Sequence, residues 1–95
     1  MEKMYHVYIM ASLSRVIYTG VSGQLEQRVW QHKNNQGGVF TKKYNVNRLV
    51  WYDDTNDSSI AIEWEKRIKG WSRAKKIKLI EEDNPFWNDL AENWF

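Results

Sequence analysis

Five polar and aromatic side chains are of the types that can together cut a phosphodiester bond with the help of one metal ion. They are two phenols, a guanidinium, an imidazole and a carboxylate, namely Tyr8, Tyr18, Arg28, His32 and Glu65. A guanidinium offers a planar fork for two phosphate oxygens, and a carboxylate is a ligand for hard cations such as Mg2+. A phenol or an imidazole can accept or relay a proton when its pKa suits the reaction. The chemistry therefore requires a fold that brings all five together.

Each of these residues also has an explanation that involves no chemistry. Two tyrosines on neighbouring strands commonly pack against each other across the strands. Arg28 could form a salt bridge with Glu26 or Glu65, His32 could pack at the edge of a helix, and a single glutamate most often pairs at the surface. Gly20 is harder to explain, because glycine inside a strand weakens it unless another group approaches closely or the strand bends. Residue by residue, both explanations stay open.

The residue pattern predicts three strands. Residues 5–11 alternate between two sets of apolar and aromatic side chains, and residues 16–21 are β-branched and aromatic. A short connection joins them, which predicts an antiparallel hairpin with Tyr8 and Tyr18 on adjacent strands. Residues 46–52 form the third predicted strand.

Helices are predicted between and after these strands. Residues 24–33 form the first, with Arg28 and His32 one turn apart near the same face. Residues 34–38 are a flexible loop. The second helix begins at Asp57 or Ser58 and ends near Gly70, with a buried stripe and Glu65 beside it. The predicted stripe consists of Ile60, Trp64, Ile68 and Trp71.

Two further helices complete the predicted fold. Ser72 caps the third helix, and Asn84-Pro85 begins a fourth that docks through apolar residues at helical spacing. The docking residues are Trp87, Leu90, Ala91 and Trp94. The order β-β-α-β-α-α-α predicts one α+β domain over residues 1–95, a three-stranded antiparallel sheet flanked by helices, with a C-terminal helical extension at about residues 84–95.

Composition and charge limit the functional classes. A chain of 95 residues allows one small domain, and the absence of cysteine excludes disulfide frameworks and cysteine-based zinc sites. No run approaches the roughly 18 apolar residues of a membrane span, so we expect a cytoplasmic protein. Seven basic residues and no acid occupy positions 66–78, whereas five acids and no base occupy positions 81–95. Such a basic segment suits a polyanion, although a solvated helix face is the alternative.

The ordered set of short motifs resembles the GIY-YIG nuclease family. The motifs are His6-Val7-Tyr8, Tyr18-Thr19-Gly20, Leu25-Glu26-Gln27-Arg28-Val29 with His32, and Ala61-Ile62-Glu63-Trp64-Glu65. The likeness runs from about Met4 to Leu90, and the later part is similar to short standalone bacterial GIY-YIG proteins. Two positions depart from the family pattern: His6 stands where glycine is usual, and Thr19 where an apolar residue is common. Neither change removes a tyrosine.

The resemblance implies hydrolysis of a DNA phosphodiester with one Mg2+ or Mn2+ ion held by Glu65. Arg28 is then expected to bind the scissile phosphate. Tyr8 is our preferred general base or water-orienting group, and Tyr18 is the other candidate. His32 is expected to polarise an oxygen or relay a proton.

The same resemblance implies contacts with the nucleic-acid backbone, for which we expect DNA rather than RNA. The candidate substrate-binding residues are Lys42, Lys43, Tyr44, Lys69, Arg73, Lys75 and Lys76. We see no zinc finger or recognition helix in the sequence, so we expect cutting that depends on DNA shape or on a protein partner, as in repair or recombination. Two alternatives remain: a nucleic-acid-binding module of this fold with little or no intrinsic cleavage, and a protein-interaction domain that exposes Trp87, Trp94 and Phe95.

Overall fold

Three strands and four helices make up the described part of the chain, which is residues 3–95 of this computed structural model. The elements in chain order are β1 (Tyr5–Ala11), β2 (Ile17–Ser22), α1 (Leu25–Lys33), α2 (Val39–Lys43), β3 (Arg48–Thr55), α3 (Ser58–Lys69) and α4 (Arg73–Asp83). The strands form one antiparallel sheet in the order β2-β1-β3. The predicted α+β class and three-stranded antiparallel sheet are confirmed. Residues 1 and 2, which the predicted domain includes, lie outside the described residues.

Strand β1 is the centre of the sheet and is covered on both faces. Its alternating side chains divide between two clusters of buried residues, as the sequence pattern predicted. On one face Val7 and Ile9 share a cluster with Ala61 and Ile68 of α3, whereas on the other face Tyr8 lies in the cluster to which α1 contributes. Because both faces are buried, a one-residue shift of β1 would move the side chains of each buried cluster to the opposite face of the sheet.

The caps of α3 and α4 follow the sequence. The Asp57 carboxylate accepts hydrogen bonds from the backbone N–H groups of Ser59 and Ile60, at 2.9 and 3.4 Å. The Ser72 hydroxyl accepts one from Lys75 at the start of α4. The predicted stripe of α3 is wrong at its first position, since Ile60 is 40% exposed and Ala61 is buried. The small alanine lets the start of the helix approach the sheet closely.

Two predicted elements differ from the structure. Helix α2 forms where no helix was predicted, so the element order is β-β-α-α-β-α-α. The predicted C-terminal helix is absent from residues 84–95, which form turns that pack on the sheet. Trp87 has a φ of +55°, a conformation that α-helices exclude for an L-residue.

Side-chain hydrogen bonds, and not a packed helix, attach this C-terminal segment to the sheet. Asn84 was predicted to cap the start of a helix, and this prediction is wrong. The residue is buried, and its amide nitrogen donates to the Val50 and Asn88 carbonyls. The Asp89 carboxylate accepts from the backbone N–H of Leu49 at 3.0 Å and pairs with Lys33. The segment therefore follows β3 through one side-chain donor, Asn84, and one side-chain acceptor, Asp89. None of the helices in residues 3–95 has the length and apolar character needed to cross a membrane.

Candidate active site

The core of the site is a pair of buried side chains, Tyr8 on β1 and His32 on α1. The Tyr8 hydroxyl lies 3.2 Å from His32 Nε2, and the two side chains are 1% and 2% exposed. Helix α1 packs its Leu25 and Val29 onto the Tyr8 face of the sheet, and His32 lies one turn beyond Val29. The packing of α1 therefore fixes this hydrogen bond.

Tyr18 completes a cluster of three rings. It lies on the edge strand β2, and its ring centroid is 6.4 Å from that of Tyr8 and 5.4 Å from that of His32. Tyr18 is half-buried, so its ring borders solvent while the other two rings lie behind it. The structure thus brings together both predicted tyrosines and the predicted histidine.

Two glycines leave room for this cluster. A Cβ at Gly20 would lie 2.5 Å from the Tyr8 hydroxyl oxygen, and Gly20 is paired with Tyr8 across the sheet. A Cβ at Gly37 would collide with Nδ1 of His32. Gly20 is the glycine whose position inside a strand suggested a close approach. Gly37 was missed, and the only sequence signal was its place in a Gly-Gly pair.

Burial keeps the hydrogen-bonded pair uncharged at neutral pH. Burial raises the pKa of Tyr8 well above the usual range, and the nearby Tyr18 and Glu65 add to the rise while Arg28 opposes it. Burial also lowers the pKa of His32 to about 4, and the Arg28 charge lowers it further. A neutral imidazole retains one nitrogen that can accept a proton. Nδ1 of His32 has no hydrogen-bond partner within residues 3–95.

Arg28 and Glu65 place opposite charges near this pair. Arg28 is exposed on α1, and its guanidinium makes no hydrogen bond or ion pair with any described residue, so the predicted alternative of a salt bridge to Glu26 or Glu65 is not realised. Glu65 lies on α3, and its carboxylate pairs with Lys69 at 3.3 Å. The Lys69 ammonium is also 6.0 Å from the centre of the Tyr18 ring.

The family model described as the GIY-YIG catalytic domain matches residues 4–78, which include all five candidate catalytic residues. The chain belongs to the GIY-YIG family. This is a nuclease family, and the predicted membership is confirmed.

The chain also resembles small GIY-YIG relatives over most of their length. It is 38% identical to a UPF0213 protein of Staphylococcus saprophyticus over 82 residues, which cover 86% of this chain and 99% of that protein. A UPF0213 protein of Natronomonas pharaonis is 30% identical over 79 residues, which cover 83% of this chain and 93% of that protein. The solution NMR structure of a UPF0213 protein from Bacillus halodurans has a TM-score of 0.59 and 26% identity, and covers 95% of this chain and 97% of that one. These names specify no activity, metal or pathway.

The two departures from the GIY-YIG pattern leave the ring cluster intact. The described contacts of the His6 side chain are with Tyr52, whose ring centroid is 6.1 Å away, and with Asp54. Thr19 is buried and is paired with Ile9 on β1. Both changes are therefore accommodated away from the Tyr8–His32 hydrogen bond.

The donor set fits a weakly chelated divalent cation. Within residues 3–95, no group of three or more acidic, histidine or cysteine side chains forms a closed metal site. Glu65 is the carboxylate whose charge acts on Tyr8, and its side chain is 16% exposed. A single carboxylate, with the other positions filled by water and phosphate oxygens, is a usual way to hold Mg2+ beside a phosphate.

Helix α2 brings aromatic and basic residues to the edge of the GIY-YIG site. Phe40 lies between the site and Tyr44, with ring centroids 6.5 Å from Tyr18 and 4.9 Å from Tyr44. The Lys43 ammonium is 5.3 Å from the Tyr44 ring, and Lys42 lies next to it in sequence on the same exposed helix. Phe40 was missed because the sequence pattern predicted no helix here.

The basic residues of α4 are not brought to the ring cluster. Helix α4 packs through Ile80 in the cluster on the sheet face opposite to Tyr8. Arg73 donates a hydrogen bond to the Arg15 carbonyl, and the Lys75 ammonium lies 4.3 Å from the centre of the Trp71 ring. Lys76 belongs to the same helix. Among the predicted substrate-binding residues, the structure places Lys69 and Tyr44 near the site.

Proposed function

We propose that this protein is a metal-dependent endonuclease that hydrolyses phosphodiester bonds in DNA. We further propose that its cutting depends on DNA shape or on a partner protein, as in repair or recombination. The observation that carries the proposal is a cluster of three rings beside a single carboxylate and a guanidinium that has no partner among residues 3–95, namely Tyr8, Tyr18, His32, Glu65 and Arg28. Membership of a nuclease family supports the same reaction class.

Arg28 is proposed to bind the scissile phosphate. Its guanidinium is exposed and engages no described residue, so its donors are available for two phosphate oxygens. Its charge already acts on Tyr8 and His32, which indicates that it lies beside the reacting groups. A fixed positive charge here would offset the negative charge that develops on phosphorus in the transition state.

Glu65 is proposed to hold the divalent cation, Mg2+ or Mn2+. When bound, such a cation polarises the phosphate and stabilises the leaving oxygen. Glu65 would contribute one charged ligand from the well-capped helix α3, and Lys69, with which it pairs, lies 6.0 Å from the centre of the Tyr18 ring.

Tyr18 is proposed to face the attacking water, with Tyr8 as its support. The sequence favoured Tyr8 as the general base, but Tyr8 is almost fully buried and its phenolate is disfavoured by that burial. Tyr18 borders solvent, and the Lys69 ammonium lies 6.0 Å from the centre of its ring. Tyr8 would then hold His32 in place through the 3.2 Å hydrogen bond.

His32 is proposed to polarise an oxygen or to relay a proton behind Tyr18. Its lowered pKa keeps the imidazole uncharged at neutral pH, so one ring nitrogen is free of a proton. The His32 and Tyr18 rings are in contact, with centroids 5.4 Å apart. A proton taken up at one ring nitrogen would be matched by release from the other, because burial disfavours the charged imidazolium.

The nucleic-acid backbone is proposed to run along α2. Lys42 and Lys43 are exposed there, and Tyr44 continues the line of aromatic rings that starts at Tyr18. Lysine–phosphate contacts of this kind give affinity that falls with salt and depends little on sequence. For Arg73, Lys75 and Lys76 a direct contact with the cleaved strand has less support, because Arg73 bonds to the Arg15 carbonyl and Lys75 lies over Trp71.

The test is cleavage of labelled duplex, single-stranded, flap, fork and four-way-junction DNA with Mg2+ or Mn2+. Glu65→Ala and Arg28→Ala should each lower the cleavage rate by about 100-fold or more, since each removes a charge that acts on the transition state. Arg67→Ala is the matched control, because Arg67 lies on α3 but pairs with the exposed Glu63 at 3.1 Å. Wild-type protein that cuts none of these DNAs would contradict an intrinsic nuclease that depends on DNA shape, and would leave the partner-dependent form of the proposal or the second candidate.

A DNA-binding module with little intrinsic cleavage is the second candidate. The observation that favours it is the burial of the Tyr8–His32 pair in a neutral state, which a purely structural hydrogen bond would also produce. Equal, salt-sensitive DNA binding by wild type and Glu65→Ala, with no cutting by either, would support this candidate.

A further inference from the structure

The proposed metal ligand already has a cationic partner. Helix α3 places Lys69 one turn after Glu65, and the Lys69 ammonium lies 3.3 Å from the Glu65 carboxylate. Glu65 is 16% exposed, whereas Lys69 is 49% exposed, so the lysine covers the carboxylate from the solvent side. The same ammonium is 6.0 Å from the centre of the Tyr18 ring.

This arrangement opposes metal binding in the free protein. An ammonium and a divalent cation on one carboxylate repel each other, and the repulsion is strong at separations of a few ångströms. Arg28 adds a second fixed positive charge that acts on Tyr8 and His32, while Glu65 is the carboxylate whose charge acts on Tyr8. Before substrate arrives, the site therefore holds two protein cations and one anion.

A bound phosphodiester reverses this balance. Its negative charge can attract both Arg28 and the Lys69 ammonium, which frees Glu65 for a cation. The long, half-exposed lysine side chain can leave Glu65, and the Tyr18 ring is already beside it. Metal and scissile phosphate would then enter the site together.

We propose that Lys69 is a positioning residue that occupies Glu65 in the free protein and makes metal binding depend on a bound phosphodiester. This inference rests on the proposed function, because it takes Glu65 as the metal ligand. Lys69 thereby keeps the metal from binding tightly until a phosphate is present.

The experiment measures Mn2+ binding to the full chain by electron paramagnetic resonance, without nucleic acid. Lys69→Met should bind Mn2+ about fivefold more tightly than wild type, since it removes a competing partly buried ion pair. Lys69→Arg should bind like wild type, because it keeps the charge. Arg67→Met is the matched control, since it removes an equal charge from an exposed pair at the same spacing on α3.

A second arm tests the dependence on phosphate with dimethyl phosphate, a diester that withstands the assay. Dimethyl phosphate should raise the Mn2+ affinity of wild type more than that of Lys69→Met. Equal or weaker Mn2+ binding by Lys69→Met, or the same gain in both proteins, would overturn the role of Lys69 and leave the proposed nuclease function standing. Unchanged binding by Glu65→Gln would instead show that the metal binds elsewhere, and would refute the metal assignment as well.

Discussion

Gly20→Ala should disrupt the candidate site from the edge strand. The added Cβ would lie 2.5 Å from the Tyr8 hydroxyl oxygen and 2.6 Å from Cζ of the same ring. Tyr8 cannot yield easily, because it is 1% exposed and hydrogen-bonded to His32. The expected response is a displaced Tyr8 ring and a lengthened or broken Tyr8–His32 hydrogen bond.

The magnitude follows from two costs. Overpacking a well-packed core costs about 1–3 kcal/mol, and loss of one buried hydrogen bond costs about 1 kcal/mol. Gly20→Ala should therefore lower the free energy of unfolding by roughly 2–4 kcal/mol. At a strand position without such a clash, a glycine-to-alanine substitution should instead raise the free energy of unfolding, by roughly 0.5–1 kcal/mol.

Urea unfolding followed by tryptophan fluorescence measures this change, with Gly70→Ala as the control. A Cβ at Gly70 would meet its nearest atoms at 3.5 and 3.7 Å, which is ordinary contact, so this variant should be neutral or slightly stabilised. Gly20→Ala should also cost much less in a Tyr8→Leu background, where the clashing ring is gone. A Gly20→Ala protein as stable as wild type, or an equal cost in both backgrounds, would refute the reasoning.

Two further predictions concern the buried histidine and the C-terminal segment. The pKa of His32 is lowered from 6.5 to about 4, so the unfolded state binds the proton more readily than the folded state. The contribution of neutral His32 to the free energy of unfolding is therefore present above pH 6.5 and is lost as the pH falls toward 4. The free energy of unfolding should be about 2 kcal/mol lower at pH 5 than at pH 7. Urea titrations at both pH values test this, and a His32→Asn protein with the same pH dependence would contradict it. Asp89→Ala should cost about 2 kcal/mol, because the backbone N–H groups of Leu49 and Ala91 lose their acceptor along with the Lys33 pair. Asp89→Asn, which keeps the acceptor oxygen, should cost less in thermal melts, and equal losses would argue against this explanation.

Local patterns predicted much of the fold. Strand β1 has its predicted bounds, and its alternating side chains divide between the two cores because that division depends only on the two-residue period of a strand. Asp57 and Ser72 cap their helices as predicted, since a cap needs only the side chain and the next few N–H groups.

The errors lie where distant parts of the chain decide the structure. Residues 84–95 have apolar side chains at helical spacing, yet Asn84 and Asp89 bond to the backbone of β3, and these bonds hold the segment in turns. Helix α2 has only five residues, too short for a periodic signal, and its Phe40 packs against Tyr18 of β2. Neither contact can be inferred from neighbouring residues.

The roles of the two tyrosines depend on the order of the strands, which the local pattern leaves open. Both belong to one hairpin and both face the α1 side of the sheet, so the alternation of side chains along the strands does not distinguish their roles. Pairing of β3 with β1 makes β1 the central strand, and Tyr8 is consequently buried beneath α1. Tyr18 on the edge strand keeps contact with solvent and with Lys69. If Tyr18 faces the water and Tyr8 supports His32, Tyr18→Phe should reduce the cleavage rate without loss of stability, whereas Tyr8→Phe should reduce both.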